Sequence, residues 1–531
     1  MATTTHPTTT VELKHLPEYA PTSYTDFSRP EFRSTFEEVL AKVRSQLGQE
    51  HPIVIGGERL KGEKLFESRN PARPDEVVGR FNAASKEQAT RAIETAHRAF
   101  AGWSRIPAAE RAWYLIEAAH RMRERRHTFS AWMVYEVGKS WAEADADTAE
   151  AIDFMEFYAR EMLRYDGSHP LTQLPGERDW MVYIPLGVGV VIPPWNFPLA
   201  ITVGMTTAAI VTGNTVVLKP SSDAPAIAWQ FFSLLEEIGL PPGVFNFVSG
   251  SGGTVGDTLV RHPKTRFVSF TGSKEVGIGI NKLAAEVQPG QIWLKRVVAE
   301  MGGKDAIIVD EEADLDAAVE GVAASAYGFQ GQKCSACSRA IVSEALYDAF
   351  LDKLKARVET IAVGDPDQYG VYMGPVVNAG ARDAILKYIE AGKREGRLIT
   401  GGGPVPNAKG YFVQPTVIAD VPANGVIAQE EIFGPVLAVI KVKDFDEALT
   451  VANGTAYGLT GAVYTRNPDK IERAKREFFV GNLYVNRKCT GAIVGAHPFG
   501  GFNMSGTDSK AGGKDYLLLF LQAKSIAEKV M

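Results

Sequence analysis

Cys334 stands in GQKCSACSR (Gly331 to Arg339), between Lys333 and small serines. The thiolate is the nucleophile, and a free thiol is mostly un-ionised at neutral pH, so a reactive cysteine needs a polar or electropositive setting. This segment offers backbone N–H groups, the Lys333 ammonium and little bulk. Two other fates fit the same residues. One is a small buried hydrophobe; the other pairs Cys334 with Cys337 as a C-x-x-C redox couple or half of a zinc site. Zinc would need more ligands close by, and Cys489 is the remaining cysteine of the chain.

Other residue types with chemical potential sit in turns. Glu300 precedes Gly302 and Gly303 in AEMGGK, where glycines let backbone or ligand approach closely. Its carboxylate suits a general base or an exposed loop charge. Asn196 lies in PPWNFP between rigid prolines, either as a helix cap or as an amide donor to a developing oxyanion. Lys219 ends the apolar run TVVLK, where a buried cation needs a ribose, a phosphate or a carboxylate beside it. Two glycine-rich turns follow: SGSGGTVG, which departs from G-x-G-x-x-G because Val255 replaces a glycine, and TGSKEVG, with Gly272, Ser273 and Gly277. Each opens a helix, whose N-terminus attracts phosphate, so the pair suggests a dinucleotide.

The elements that position these residues follow from periodicity. VGVVI (Val188 to Ile192), TVVLK, VFNFV (Val244 to Val248) and RFVSF (Arg266 to Phe270) read as strands apolar on both faces, separated by helical segments. That alternation implies a parallel sheet with helices on both faces, and ligands bind at the carboxyl ends of such strands. AIIVD (Ala306 to Asp310) and the helical run Ala313 to Phe329 begin a second series that extends to about Tyr484. One α/β unit would thus bring Glu300 and Cys334 to the same sheet edge. Upstream, Pro30 to Gly48 reads as an amphipathic helix, Ser85 and Gln88 form a capping box, and helical pattern runs from Ala108 to about Arg164. YLLLFLQAKSIAE (Tyr516 to Glu528) reads as an apolar terminal strand that needs a partner.

Composition narrows the class. The 531 residues exceed one ordinary core, and 45% hydrophobic with 23% charged residues is average for soluble domains. A net charge of −6 leaves no basic field for nucleic acid. Three cysteines make no disulfide framework. MATTTHPTTT has no apolar core of a secretory signal and reads as a mobile tail. Trp180 to Leu218 carries no charge, yet its prolines and glycines make it a strand, a turn and a buried interior helix rather than a membrane span.

Taken in order from about residue 50 to the C-terminus, PWNFP, GNTVVLKP, FTGSKEVG, EMGGK, GQKCSA, EEIFGPV (Glu430 to Val436) and PFGGFNMSG (Pro498 to Gly506) resemble the aldehyde dehydrogenase superfamily. NRKCTGAIVGAHPFGG (Asn486 to Gly501), SGTDSKAGG, Ser335 and the N-terminal DFSRPEFR segment resemble its branch acting on L-glutamate γ-semialdehyde, the open form of 1-pyrroline-5-carboxylate. The resemblance implies an α/β fold with a Rossmann-like NAD-binding domain (50–167 and 187–301) and a catalytic domain (302–502). An oligomerisation flap (168–186 and 508–531) and an N-terminal tail and helix (1–49) complete it.

It implies, further, that Cys334 attacks the aldehyde, Asn196 and the Cys334 N–H hold the oxyanion, and Glu300 activates water against the thioester. NAD would lie against Ile192, Pro194, Trp195, Lys219, Ser222, Gly252, Gly256, Phe270, Gly272, Ser273, Met301, Gly302, Glu431 and Phe433. Ser335, Gly491 and Ala492 would anchor the substrate, with Lys333 beside them and Phe197 and Phe499 as walls. No metal is implied. Many NAD-preferring members carry Glu where this chain has Ser222, so NADP is admitted. A homodimer or larger assembly in the cytoplasm, away from membranes and nucleic acid, completes the expectation. Rival readings are oxidation of another short carboxylated aldehyde such as succinate semialdehyde, a cysteine acyl hydrolase, which would want a His base, and a non-catalytic role.

Overall fold

The computed structural model describes residues 16–530, so the expected N-terminal tail over MATTTHPTTT lies outside the described residues. The first helix among the described residues, Pro30–Arg44, has Pro at its first position, Glu31 in the first turn and Lys42 and Arg44 in the last, charges that complement its dipole. It buries Phe36, Leu40 and Val43. The helix Lys86–Trp103 starts at the Ser85–Gln88 capping box, with both reciprocal bonds formed. Helices Ala108–Glu124, Arg126–Val137 and Trp141–Tyr165 follow. Gly138, at φ 71°, ends the second of these in a left-handed turn that a Cβ would strain.

Two seven-stranded sheets dominate. In the first, Arg296–Glu300, Thr265–Thr271, Val188–Ile192, Thr215–Leu218 and Phe245–Phe247 lie side by side in parallel, and the antiparallel Ile53–Ile55 and Glu58–Leu60 close the far edge. In the second, the order is Arg397–Thr400, Thr416–Ala419, Val436–Val442, Arg339–Ser343, Ala306–Val309, Thr460–Tyr464 and Asn482–Val485. It is parallel except at its first pair. The inner strands are Val- and Ile-rich and buried on both faces, as sheets sandwiched between helices must be.

A three-stranded flap of His169–Pro170, Glu177–Pro185 and Leu521–Lys529 stands apart from both. Nine residues of the terminal strand pair antiparallel with Glu177–Pro185. Two expectations change here. Tyr516–Phe520 is a 3₁₀ turn, not strand, because Tyr516, Leu517 and Phe520 turn into the core, where Tyr516 stacks on Tyr158 at 5.3 Å. Trp180 to Pro185, expected in the interior, lies on the flap and is mostly half-buried.

Candidate active site

The turns after the five parallel strands of the first sheet gather along one edge. Ile192 ends its strand opposite Phe270, and the turn beyond carries Pro194, Trp195, Asn196 and Phe197. Lys219 is buried; its Nζ donates to the Pro220 carbonyl at 3.0 Å, and no carboxylate among the described residues pairs with it. Burial lowers that ammonium to about 8. Its stem runs beside Gly256, while Gly252 and Gly253 have open space where a side chain would be. Ser222 is exposed in the turn after Lys219. Ser273 caps the helix Lys274–Ala285 through Val276 N, and Gly272 and Gly277 pack so closely on Phe270 and Met301 that a Cβ would collide. This edge is a cradle of helix N-termini, glycines and one ammonium lacking an acidic partner, which fits a dinucleotide.

Cys334 comes from the other sheet and the other end. It precedes the strand Arg339–Ser343, so it sits at the amino edge of the second sheet, whereas Glu300 sits at the carboxyl edge of the first. The expectation that one α/β unit brings both to a single sheet edge is therefore wrong. The chain passes between the sheets at Met301 to Asp305, and the site forms where the edges face each other. Gly302 and Gly303 make the approach possible: a Cβ on the first would strike the Glu431 carboxylate, and one on the second the Cys334 carbonyl. Gly303 N donates to Glu431 Oε1 at 3.1 Å. Phe433, two residues on, meets the Trp195 ring edge-to-face at 5.4 Å.

Asn196 does not cap a helix. The following helix, Ala200–Val211, has Leu199 at its cap position and no side-chain cap bond. Instead the buried Asn196 amide crosses to the nucleophile segment, its Nδ2 donating to the Gln332 carbonyl at 3.1 Å. Nor is Glu300 a loose loop charge. It ends the strand Arg296–Glu300, and its Oε1 accepts from Ser509 Oγ at 2.5 Å and Ser509 N at 3.2 Å. Oε2 is buried with no hydrogen-bond partner among the described residues. Burial outweighs the Ser509 bonds and raises the carboxyl to about 7.

The electropositive setting expected for Cys334 is not what surrounds it. Lys333 Nζ is held 2.7 Å from Glu143 Oε1 and so is neutralised by it. Burial first, then Asp305, Glu431, Glu300 and Glu150, push the thiol well above its ordinary value. Burial also holds the Glu431 carboxyl at about 7. Acidic side chains thus line the site, and together with burial they disfavour the thiolate.

Part of the expected substrate set is tied to the nucleophile segment. Cys489 Sγ and Thr460 Oγ1 both reach the Ser335 carbonyl at 3.4 Å, which docks the loop carrying Gly491 and Ala492 on the nucleophile segment. Arg487 shapes that loop by donating to the Thr490 and Gly491 carbonyls at 3.1 Å each. Phe499 is fixed by its backbone to Ala511, and Phe197 lies under the Lys139 ammonium. Cys337 and Cys489 are free thiols buried in the core of the second sheet, where Cys337 packs. Among the described residues, no group of three or more His, Cys, Asp or Glu is placed to hold a metal ion.

Several contributors escaped sequence reasoning. Ser509, inside the SGTDSKAGG motif, gave no chemical signal of its own, and Glu143, Lys139 and Asp147 sit in helical pattern that reads as ordinary surface charge. Only the fold turns them inward.

Comparison with known proteins agrees with this geometry. Residues 59–526 match the model of the aldehyde dehydrogenase family. The 1-pyrroline-5-carboxylate dehydrogenase of Geobacillus thermodenitrificans is 59% identical over 95% of this chain and 98% of that protein. That of Bacillus mycoides is 55% identical over 98% and 99%. A crystal structure of 1-pyrroline-5-carboxylate dehydrogenase from Thermus with bound NAD superposes with a TM-score of 0.95 at 50% identity, covering 97% of this chain and all of that one. The chain belongs to the aldehyde dehydrogenase family.

Proposed function

We propose that the protein oxidises L-glutamate γ-semialdehyde, the hydrated and ring-opened form of 1-pyrroline-5-carboxylate, to L-glutamate with NAD. The observation that carries this reading is the meeting of two sheet edges. One brings a dinucleotide cradle and a buried carboxyl with one oxygen unpartnered among the described residues; the other brings a thiol whose segment the Asn196 amide grips at the Gln332 carbonyl. Identities of 55% and 59% to dehydrogenases of that substrate support its choice.

Cys334 Sγ attacks the aldehyde carbon, and its proton leaves toward the nearby carboxylates, of which Glu300, poised at about 7, is the fitting acceptor. The Asn196 amide has a second N–H beyond the one given to Gln332, and with the Cys334 N–H it holds the oxyanion. Lys219, Gly252, Gly256, Ser273 and Glu431 would hold NAD, which when bound supplies the acceptor for the hydride that leaves the thiohemiacetal. Glu300 passes the thiol's proton on to solvent and, as carboxylate again, takes a proton from water. The hydroxide formed attacks the thioester carbon, the C–S bond breaks, and Cys334 leaves as thiolate to be reprotonated. Ser509 keeps that carboxyl aimed throughout. Ser335 and the loop of Gly491 and Ala492 anchor the substrate's carboxylate through backbone donors. The terminal strand, an edge of its sheet, joins at least two copies of the chain. Three cysteines without a disulfide suit a reducing cytoplasm.

The test is a panel of aldehydes with NAD, read at 340 nm. The semialdehyde is expected to exceed succinate semialdehyde in kcat/KM by at least about tenfold, a difference of one or two matched contacts. Cys334→Ala is expected to abolish turnover. Comparable rates on all aldehydes would remove the substrate assignment, and activity retained by Cys334→Ala would remove the nucleophile.

A further inference from the structure

Beneath the site lies a buried ion pair with no place in the chemistry above. Lys139 and Asp147 are both fully buried, with Nζ 2.7 Å from Oδ2. Burying two charges is expensive, and an apolar pair of the same volume would often be as stable or more so, so stability alone does not account for it. Its surroundings do. The Lys139 ammonium faces two aromatic rings, Phe197 at 4.1 Å and Phe329 at 4.6 Å. Phe197 follows Asn196 directly, and Phe329 begins the turn that leads to Cys334. One cation therefore grips the donor loop and the nucleophile loop together, in a desolvated place where such contacts are strongest.

The same pair is tied to backbone on both sides. Asp147 Oδ1 accepts from Ala200 N at 2.7 Å, fixing the start of the helix that follows the Asn196 turn. The Gly138 carbonyl, beside Lys139, accepts from Gln330 Nε2 at 3.0 Å. Phe329 and Gln330 are consecutive non-glycine residues in the left-handed region, at φ 47° and 57°. Such a conformation persists only when its surroundings hold it. Lys139 and Gly138 contribute to that hold, together with the Pro375 carbonyl, which accepts from Gln330 Nε2 at 2.7 Å.

We propose that Lys139 is a positioning residue: neutralised by Asp147, it clamps Phe197 against Phe329 and so sets the Asn196 amide in register with Cys334. This rests on the functional reading above for its kinetic consequence, but the register itself does not require it. The role predicts that the pair acts on rate through Asn196, not on substrate affinity.

Two variants test it, since removing one charge alone would leave the other buried and unpaired. Lys139→Met with Asp147→Asn removes the ion pair while keeping an acceptor for Ala200 N; Phe329→Leu keeps the ion pair and removes one ring. Each is expected to lower kcat about 30- to 100-fold with KM within about threefold, the scale of a misplaced catalytic group. Combined with Asn196→Ala, each should cost less than about a further threefold, because both changes disable one device. Iodoacetamide labelling of Cys334, the one free cysteine that is not fully buried, is expected to change rate at least about fivefold in both variants, as loss of register alters access to the thiol. Unchanged kcat in folded variants, or losses that multiply fully with Asn196→Ala, would overturn the proposal. If the wild-type enzyme reduces no NAD with any aldehyde, the functional reading fails and the labelling rate decides alone; unchanged labelling then refutes the clamp.

Discussion

At the scale of single residues the site is governed by burial against charge. Glu300 would titrate far lower in water, and the cost of desolvating its anion lifts it to about 7, while the two Ser509 bonds oppose that rise. The base form must be present for deacylation, so turnover is expected to fall as pH drops through 7. Ser509→Ala removes the bonds that favour the anion and should move that limb to higher pH, measurable in kcat between pH 5.5 and 9; an unmoved limb would show that Ser509 does not tune Glu300. Glu300→Gln should cost about 10²- to 10⁴-fold in kcat, the usual worth of a positioned base. Because Glu300 also accepts the thiol's proton, the pre-steady-state burst of NADH should slow in that variant as well; a burst at the wild-type rate would confine Glu300 to deacylation. Ser222 belongs to the same scale. Its neutral hydroxyl gives a 2′-phosphate nothing to repel, so NADP turnover should be measurable below NAD turnover. Ser222→Glu should suppress the former selectively; equal loss with both cofactors would place Ser222 elsewhere.

Elements decide which residues can meet, and here sequence is an uneven guide. The parallel strands were legible because runs such as VGVVI are apolar on every side chain, and the capping box at Ser85 announced its helix directly. Which edge of a sheet a turn faces was not legible. Cys334 follows a helix in sequence as any carboxyl-edge residue might precede one, and only the closed fold shows it at the amino edge of the second sheet. The side chains that come inward, Asp147 and Lys139, look like solvated charges because periodicity marks apolar faces, not buried ion pairs. The Met301 to Asp305 crossing carries a prediction at this scale. Gly302 has no room for a side chain, since its Cβ position is taken by the Glu431 carboxylate. Gly302→Ala should displace Glu431 and weaken NAD binding about tenfold or more by fluorescence titration, with thermal stability little changed because the shift is confined to a site edge. Unaltered NAD affinity would mean that Glu431 can move without consequence for the cofactor.

Across the whole molecule, two sheets and a flap divide the labour, and every residue assigned a role in the site belongs to one chain. The chain leading into the outer strand is rooted in the core: Asn214 Nδ2 donates to the Phe520 carbonyl at 2.9 Å, and Arg296 Nη1 reaches the carbonyls of Leu518, Leu519 and Leu521. Beyond that root, the strand to Lys529 pairs on one side with Glu177–Pro185 and is an edge of its sheet on the other. An edge of nine residues, mostly exposed along its length, is a ready template for another chain. Ending the chain after Leu521 should therefore leave the root, Ser509 and the Glu300 carboxyl in place while removing the edge. The expected result is a monomer by light scattering at micromolar concentration, where the full chain is expected to give a dimer or larger. Activity per chain should stay within about tenfold of the full protein, because exposing the bare Glu177–Pro185 strand costs stability more than it disturbs a site held by the two sheets. A truncated chain that keeps its assembly would move the interface away from the flap. A folded monomer without activity would show that the partner copy completes the site.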